Sequence, residues 1–310
     1  MDSPPPRPPY APRADRQPDW PPPLYAPPAP PPSVPWVNIV LFLATVATTL
    51  IAGATLRGVN PFVSPWMTIR EGFSFSFALL AILGVHEAGH FVMSRRWGVR
   101  ATLPYFIPVP PPFIFGTMGA VIKMKSPVPH RDALFDIAVA GPLAGFLVAV
   151  PAVVVGLMLS QVQPHMPSSG ANLLFGGSIL FNGLVRLVLG VDMVHYDIIL
   201  HPVAVAGWVG LFVTALNLLP FGQLDGGHIV YSLFGRRQTL VAGVMAAALV
   251  PMSLLWEGWL IWLALIYFVG FRHPPVGAEE IPLTRGRRAL GFLTIGIFIV
   301  TFTPIPLSIG

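Results

Sequence analysis

The chain has 310 residues, of which 54% are hydrophobic and only 10% charged, and its mean hydropathy is +0.70. These values exclude an ordinary soluble domain and predict a multi-pass membrane protein. The formal net charge of +5 suggests an anionic partner, but basic residues in a membrane protein usually report its topology. Nucleic acid is discounted as a partner, because no basic run is interleaved with aromatic residues. Since the chain has no cysteine, a transition metal must be held by His, Asp or Glu.

The first 35 residues contain 16 prolines. This composition predicts a disordered cytoplasmic tail with polyproline II character rather than a packed core. The tail is interpreted as a spacer, with a cytoplasmic partner that binds it as the alternative. Residues 36–310 are expected to form one membrane-embedded domain, with its core at 73–237.

Apolar segments follow the tail, and most are near the roughly 20 residues that a membrane-spanning helix needs. They predict an all-α polytopic membrane protein with about seven transmembrane helices, at 37–56, 73–94, 133–160, 202–221, 238–255, 258–271 and 289–309. The stretch at 172–190 is predicted to be interfacial or re-entrant. With a cytoplasmic N-terminus, 15 of the 18 basic residues lie on the inner side, as the positive-inside rule favours. The three outer ones are Arg57, Arg70 and Arg186.

The connection between the second and third segments breaks the helical pattern. Residues 103–125 contain five prolines, then Gly116-Thr117-Met118-Gly119 and an extended-looking stretch at 120–125. This predicts a re-entrant loop leading into a short strand, whose exposed edge can bind an unwound substrate by strand addition. An ordinary amphipathic loop is an equal alternative.

The second segment carries His86-Glu87-Ala88-Gly89-His90. Two imidazoles four residues apart share one helix face and can hold one metal ion, while the carboxylate between them can take a proton from an attacking water. A membrane histidine can instead serve as an interhelical hydrogen-bonding group. The metal site is favoured, because three ionisable side chains in an apolar segment are costly unless they are paired or coordinated.

A catalytic zinc site ordinarily takes three protein ligands, so a third ligand must come from elsewhere. The candidate is Asp225, in the polar stretch 217–228 that should break the helix near the inner membrane face. His228 is the competing ligand, and a solvated turn is the alternative role for Asp225. Asn217 is a candidate catalytic group that orients substrate or stabilises an oxyanion, unless it only caps or bridges helices.

Two motifs carry a family resemblance: HExxH at 86–90 and Asn-x-x-Pro-x-x-x-Leu-Asp-Gly at 217–226. With the residues at 116–119 and Ala-Gly-Pro-Leu-Ala-Gly at 140–145, they resemble the site-2 protease family of intramembrane zinc metalloproteases. The likeness is to the branch without PDZ or CBS domains, which includes chloroplast gravitropism-related proteins and bacterial homologues.

The resemblance implies one Zn²⁺ per chain, held by His86, His90 and Asp225, with Glu87 as the base. It also implies regulated cleavage of transmembrane protein substrates within the lipid bilayer. The expected location is a bacterial cell membrane, with the N-terminus cytoplasmic.

Other functions stay open on the residues alone. An aspartyl intramembrane protease would use Asp136 and Asp225 as its carboxylate dyad. A serine protease is disfavoured, because no serine in a membrane segment has a persuasive general base beside it in the sequence pattern. A non-proteolytic membrane protein that binds or transports metal, or that binds membrane helices, would use the same ionisable groups. The intact Glu87 within HExxH favours the zinc protease over each of these.

Overall fold

The protein is mostly helical. A computed structural model describes residues 34–164, 173–191, 195–271 and 282–309, so the predicted tail lies almost entirely outside the described residues. The helices are α1 (Trp36–Leu56), α2 (Pro65–Arg96), α3 (Arg131–Met158), α4 (Ile179–Leu189), α5 (Pro202–Asn217), α6 (Asp225–Phe234), α7 (Gln238–Met252), α8 (Gly258–Val269) and α9 (Arg285–Thr301).

Short strands accompany the helices, so the all-α expectation is too simple. They are β1 (Tyr105–Pro108), β2 (Thr117–Val121), β3 (Gln161–Pro164), β4 (Leu173–Phe175), β5 (Tyr196–Ile199) and β6 (Leu307–Ile309). They form three antiparallel pairs, β1 with β2, β3 with β5, and β4 with β6.

Four helical stretches in the described part of the chain are long and apolar enough to cross a bilayer. They are Trp36–Leu56, Pro65–Arg96, Arg131–Met158 and Asp225–Met252, the last combining α6, a 3-10 turn and α7. Helices α4, α5 and α8 are apolar but shorter. The chain is therefore an integral membrane protein.

Glycines let the central helices approach closely. A Cβ on Gly72 would lie 2.1 Å from the carbonyl oxygen of Leu50, and one on Gly156 would lie 2.1 Å from the backbone nitrogen of Ala204. Small residues at helix crossings provide the van der Waals contact that drives helix association in a membrane. Helix α2 thus packs against α1, and α3 packs against α5.

Two helix boundaries differ from the hydropathy pattern. Helix α2 begins at Pro65 rather than near 73, because proline suits the first helical position. Hydropathy placed the start later, because polar side chains in the first turns of the helix lower the local hydropathy. Helix α9 ends at Thr301, so the predicted segment 289–309 is wrong beyond that point. Pro304 and Pro306 follow, where the missing N–H groups prevent the helix from continuing, and β6 comes next.

Helix α6 occupies a region that hydropathy assigns to a loop between 221 and 238. Gly226 and Gly227 have low helix propensity, which hides it. In the structure a Cβ on Gly226 would lie 2.0 Å from the Leu218 carbonyl oxygen, and one on Gly227 would lie 2.5 Å from that of Phe221. Close packing on the preceding turn therefore requires glycine at both positions.

The β1–β2 hairpin lies along α1. Asn38 donates hydrogen bonds to the carbonyls of Leu103 and Pro104 at 3.0 and 2.9 Å, and Thr48 donates to the carbonyl of Gly116 at 2.6 Å. Ten residues of helix separate Asn38 from Thr48, a rise of about 15 Å. The strand before α3 is confirmed, although it spans Thr117–Val121 rather than 120–125.

Helix α9 is bound to α3 at one end by ion pairs. Arg287 donates two hydrogen bonds of 2.8 Å to Asp136 and one of 2.8 Å to Asp132. Trp97, which follows α2, donates to Asp136 at 3.2 Å. The far end of α9 leads to β6, which pairs with β4 in the connection between α3 and α5. Helix α9 thus runs between the same two ends of the molecule as α3.

Candidate metal centre and active site

Three potential ligand atoms from two helices meet beside α3. Asp225 Oδ2 lies 3.5 Å from His86 Nε2 and 3.3 Å from His90 Nε2. The two Nε2 atoms lie 3.1 Å apart. His86 and His90 share one face of α2, and Asp225 is the first residue of α6. The structure therefore brings together the three side chains that the sequence proposed as ligands.

The geometry and chemistry of this triangle fit a zinc ion. Two ligand atoms that each lie roughly 2.0–2.1 Å from a tetrahedral ion are about 3.3 Å apart. The three measured separations, from 3.1 to 3.5 Å, fall around that value. Two imidazole nitrogens and one carboxylate oxygen form a ligand set that leaves the fourth position for water or substrate.

A hydrogen bond outside the triangle orients one imidazole. His90 Nδ1 lies 2.8 Å from the carbonyl oxygen of Ile137 in α3. A carbonyl can only accept, so Nδ1 carries the proton and the lone pair of Nε2 points toward Asp225. The Ile137 backbone thus selects the tautomer that a metal ligand requires.

Glycines in α3 make space for both imidazoles. A Cβ on Gly141 would lie 2.1 Å from His90 Nε2, and one on Gly145 would lie 3.1 Å from His86 Nδ1. On the facing helix, a Cβ on Gly89 would lie 2.5 Å from the Ala140 carbonyl oxygen. From the sequence, residues 140–145 indicate only a family likeness, and no role in the site is predicted for them. Its small residues four apart, the usual mark of a close helix crossing, were the available signal.

The triangle faces a cavity of about 190 Å³. Glu87, only 6% exposed, and Asn217 line this cavity, and Asn217 Nδ2 lies 3.3 Å from His86 Nε2. Ile122, just beyond β2, lines the same cavity. The remaining lining residues are His86, His90, Ala120, Val121, Met124, Leu134, Ala138, Ile137, Gln223, Leu224, Asp225 and His228.

Two alternatives from the sequence do not match this geometry. Asp136 is not among the residues that line the cavity, and its carboxylate is bound by Arg287 and Trp97, so an Asp136–Asp225 dyad is wrong. His228 lines the cavity, but the group of ligand atoms within 4.8 Å of one another contains Asp225 and not His228.

A substitution at Gly141 tests whether the His90 imidazole needs the space beside this glycine. We expect Gly141→Ala to displace the His90 imidazole and to weaken zinc binding by about tenfold or more, the scale typical of lost support around a metal ligand. Competition with a chelator on the purified protein measures the affinity. Gly84→Ala, on the same helix as His90 but with open space around its Cβ, is the matched control. Unchanged affinity in Gly141→Ala would show that the imidazole does not need this space.

Comparisons with known proteins agree with the site. "Probable zinc metalloprotease EGY1, chloroplastic" of Oryza sativa subsp. japonica is 30% identical over 306 residues, covering 87% of this chain and 50% of that protein. "Probable zinc metalloprotease EGY2, chloroplastic" of Arabidopsis thaliana is 30% identical over 250 residues, covering 77% and 43%. The chain spans about half the length of the curated relatives that it matches. No solved structure matches.

Both relatives are chloroplast proteins, so the expectation of a bacterial cell membrane is not supported. The resemblance to the site-2 proteases, with zinc as the metal, is confirmed. The sequence profile of peptidase family M50 matches residues 74–256, more than half of the chain and all of the residues around the cavity. This chain therefore belongs to peptidase family M50, the site-2 protease family of zinc metalloproteases.

Proposed function

We propose that the protein is an intramembrane zinc metalloendopeptidase that hydrolyses peptide bonds in or near the transmembrane segments of membrane-protein substrates. The observation that carries this proposal is the triangle of His86, His90 and Asp225 donor atoms, which faces a cavity lined by Glu87 and Asn217. Lipid and membrane-embedded proteins are the partners that such a site requires.

His86, His90 and Asp225 would hold the zinc ion. When bound, the ion supplies Lewis-acid polarisation of the scissile carbonyl. The side chains around it do the rest. The carbonyl of Ile137 keeps His90 in the tautomer and orientation that leave Nε2 free to coordinate.

Glu87 acts as general base and then as general acid. Its carboxylate takes a proton from the attacking water as the water oxygen bonds to the carbonyl carbon, and it delivers that proton to the leaving nitrogen as the C–N bond breaks. We propose that Asn217, whose amide nitrogen lies 3.3 Å from His86 Nε2, donates a hydrogen bond to the oxyanion that develops on the carbonyl oxygen.

The substrate must be extended at the scissile bond, because a helical carbonyl is already hydrogen-bonded and shielded. Strand β2 pairs with β1 on one edge and with no other strand among the described residues. Its residues Ala120 and Val121 line the cavity. We propose that the free edge of β2 binds an unwound substrate segment by strand addition.

The hairpin that presents this edge is proposed to be re-entrant. Its contacts with α1 extend from Asn38, near the start of that helix, to Thr48, more than halfway along it. Irregular backbone is tolerated at membrane depth when protein covers it or when it lines a water-filled cavity. Helix α1 on one side of the hairpin and the cavity lined by Ala120 and Val121 on the other support this proposal.

Seven membrane crossings remain the proposed topology: α1, α2, α3, α5, α7, α8 and α9. The ion pairs at the start of α9 and the β4–β6 pair beyond its end support a crossing by α9 parallel to α3. The arginine distribution supports a cytoplasmic N-terminus. A cytoplasmic proline-rich tail at 1–35, with or without a partner, rests on composition alone.

Replacing Glu87 with Gln tests the chemistry. We expect Glu87→Gln to keep stoichiometric zinc and to lose cleavage of a membrane-spanning reporter, because the amide cannot take the proton from water. Cleavage by the unaltered protein should stop when a chelator is added. A fully active Glu87→Gln variant would reject the assignment of the base, and metal flux without any cleavage would favour a transporter.

Cross-linking tests the strand edge, and the chain has no cysteine to interfere. In a Glu87→Gln background, we expect Val121→Cys to form a disulfide with a cysteine beside the scissile bond of a membrane-spanning reporter. Val162→Cys in β3 is the matched control, since Val121 and Val162 are both exposed valines in short strands, 52% and 37% exposed. Equal cross-linking at the two positions would contradict binding along β2.

A further inference from the structure

Arg131, the first residue of α3, contacts the end of α6. Its Nε donates a 2.7 Å hydrogen bond to the carbonyl of Ser232, and its Nη2 lies 3.4 Å from the carbonyl of Tyr231. Both carbonyls belong to the last turn of α6, where a helix leaves its carbonyls without intrahelical partners, although the Tyr231 carbonyl also accepts a hydrogen bond from the backbone N–H of Gly235. A cation at this end also complements the helix dipole. Arg131 therefore caps α6 from a neighbouring helix.

The other end of α6 carries Asp225. The helix has only 10 residues, a length of about 15 Å, so its two ends move together as one rigid unit. Gly226 and Gly227 pack closely on the turn that precedes the helix. Holding the last turn to α3 therefore limits how far the helix can tilt or rotate about that turn, and with it the position of the Asp225 carboxylate.

The same part of α3 also holds the helix that carries the two histidines. Six residues after Arg131, the Ile137 carbonyl accepts the hydrogen bond from His90 Nδ1. Asp136 accepts one from Trp97, which directly follows α2. The first two turns of α3 are thus bonded to both ligand-bearing helices, and they set the distance between them.

We propose that Arg131 is a positioning residue for the metal centre: by capping α6 it places Asp225 against the two imidazoles. This inference rests on the proposed metal site. Without the guanidinium, the Tyr231 carbonyl keeps the hydrogen bond from Gly235, but the Ser232 carbonyl loses a charged donor in a buried setting, since Ser232 is 0% exposed. The turn that carries Ser232 must then shift to find another donor for this carbonyl, and Asp225 shifts with it.

The experiment compares metal binding in Arg131→Met and Arg131→Lys with the unaltered full-length protein. Zn²⁺ affinity is measured by chelator competition, and the visible absorption of bound Co²⁺ reports the ligand geometry directly. We expect Arg131→Met to bind Zn²⁺ about 10-fold to 100-fold more weakly, with altered Co²⁺ bands. Arg131→Lys should recover part of the affinity, because its ammonium group can donate to one carbonyl and keeps the charge. Arg100→Met, an exposed arginine elsewhere in the chain, is the matched control and should be unchanged.

Three results would overturn the inference. Equal Zn²⁺ affinity and Co²⁺ spectra in Arg131→Met and the unaltered protein would reject Arg131 as a positioning residue and leave the metal site standing. Loss of binding in both variants together with loss of helical circular dichroism would assign Arg131 to folding rather than to the site. If the unaltered protein binds neither ion, the proposed function fails along with this inference.

Discussion

The structure depends on bringing three potential metal-ligand atoms, two imidazole nitrogens and one carboxylate oxygen, together inside an apolar helical assembly. His86 and His90 are only 4% and 7% exposed, and the Asp225 carboxylate contacts both. Buried ionisable groups are costly unless they are paired or coordinate a metal. The surrounding helices accommodate these groups. Glycines in α3 leave space for the imidazoles, and a backbone carbonyl of α3 accepts a hydrogen bond from one of them. The close turn at Gly226 and Gly227 brings in the carboxylate.

The site could be predicted from the sequence wherever the chemistry is local. HExxH places two imidazoles on one face of any helix, and the demand for a third ligand pointed to Asp225. The parts that could not be predicted depend on tertiary contacts. Helix α6 was missed because two glycines mask its propensity, and the role of Gly141 appears only when His90 packs against it. Arg131 gave no signal, since its partners are backbone carbonyls about 100 residues away.

The helices and strands show the same contrast between local sequence patterns, which predict structure, and tertiary contacts, which do not. Long apolar runs predicted α1, α2 and α3, and the prolines at 104–112 predicted the break that precedes the hairpin. Apart from β2, which the residues at 116–125 predict, the sequence did not reveal the strands, because pairs such as β4 with β6 join residues distant in sequence. It also misplaced helix ends where polar first turns or late prolines decide the boundary, as at Pro65 and Thr301. Hydrogen bonds from Asn38 and Thr48, invisible in composition, hold the hairpin along α1 and keep β2 beside the cavity.

The central claim is that His86, His90 and Asp225 hold one zinc ion together. Metal analysis of the purified protein and of His86→Ala and Asp225→Ala variants tests it most directly, with exposed Glu257→Ala as the control. The account predicts one zinc per chain in the unaltered and control proteins and loss of that zinc in both site variants. Full zinc occupancy in Asp225→Ala would contradict the account, because the carboxylate would then not be a ligand.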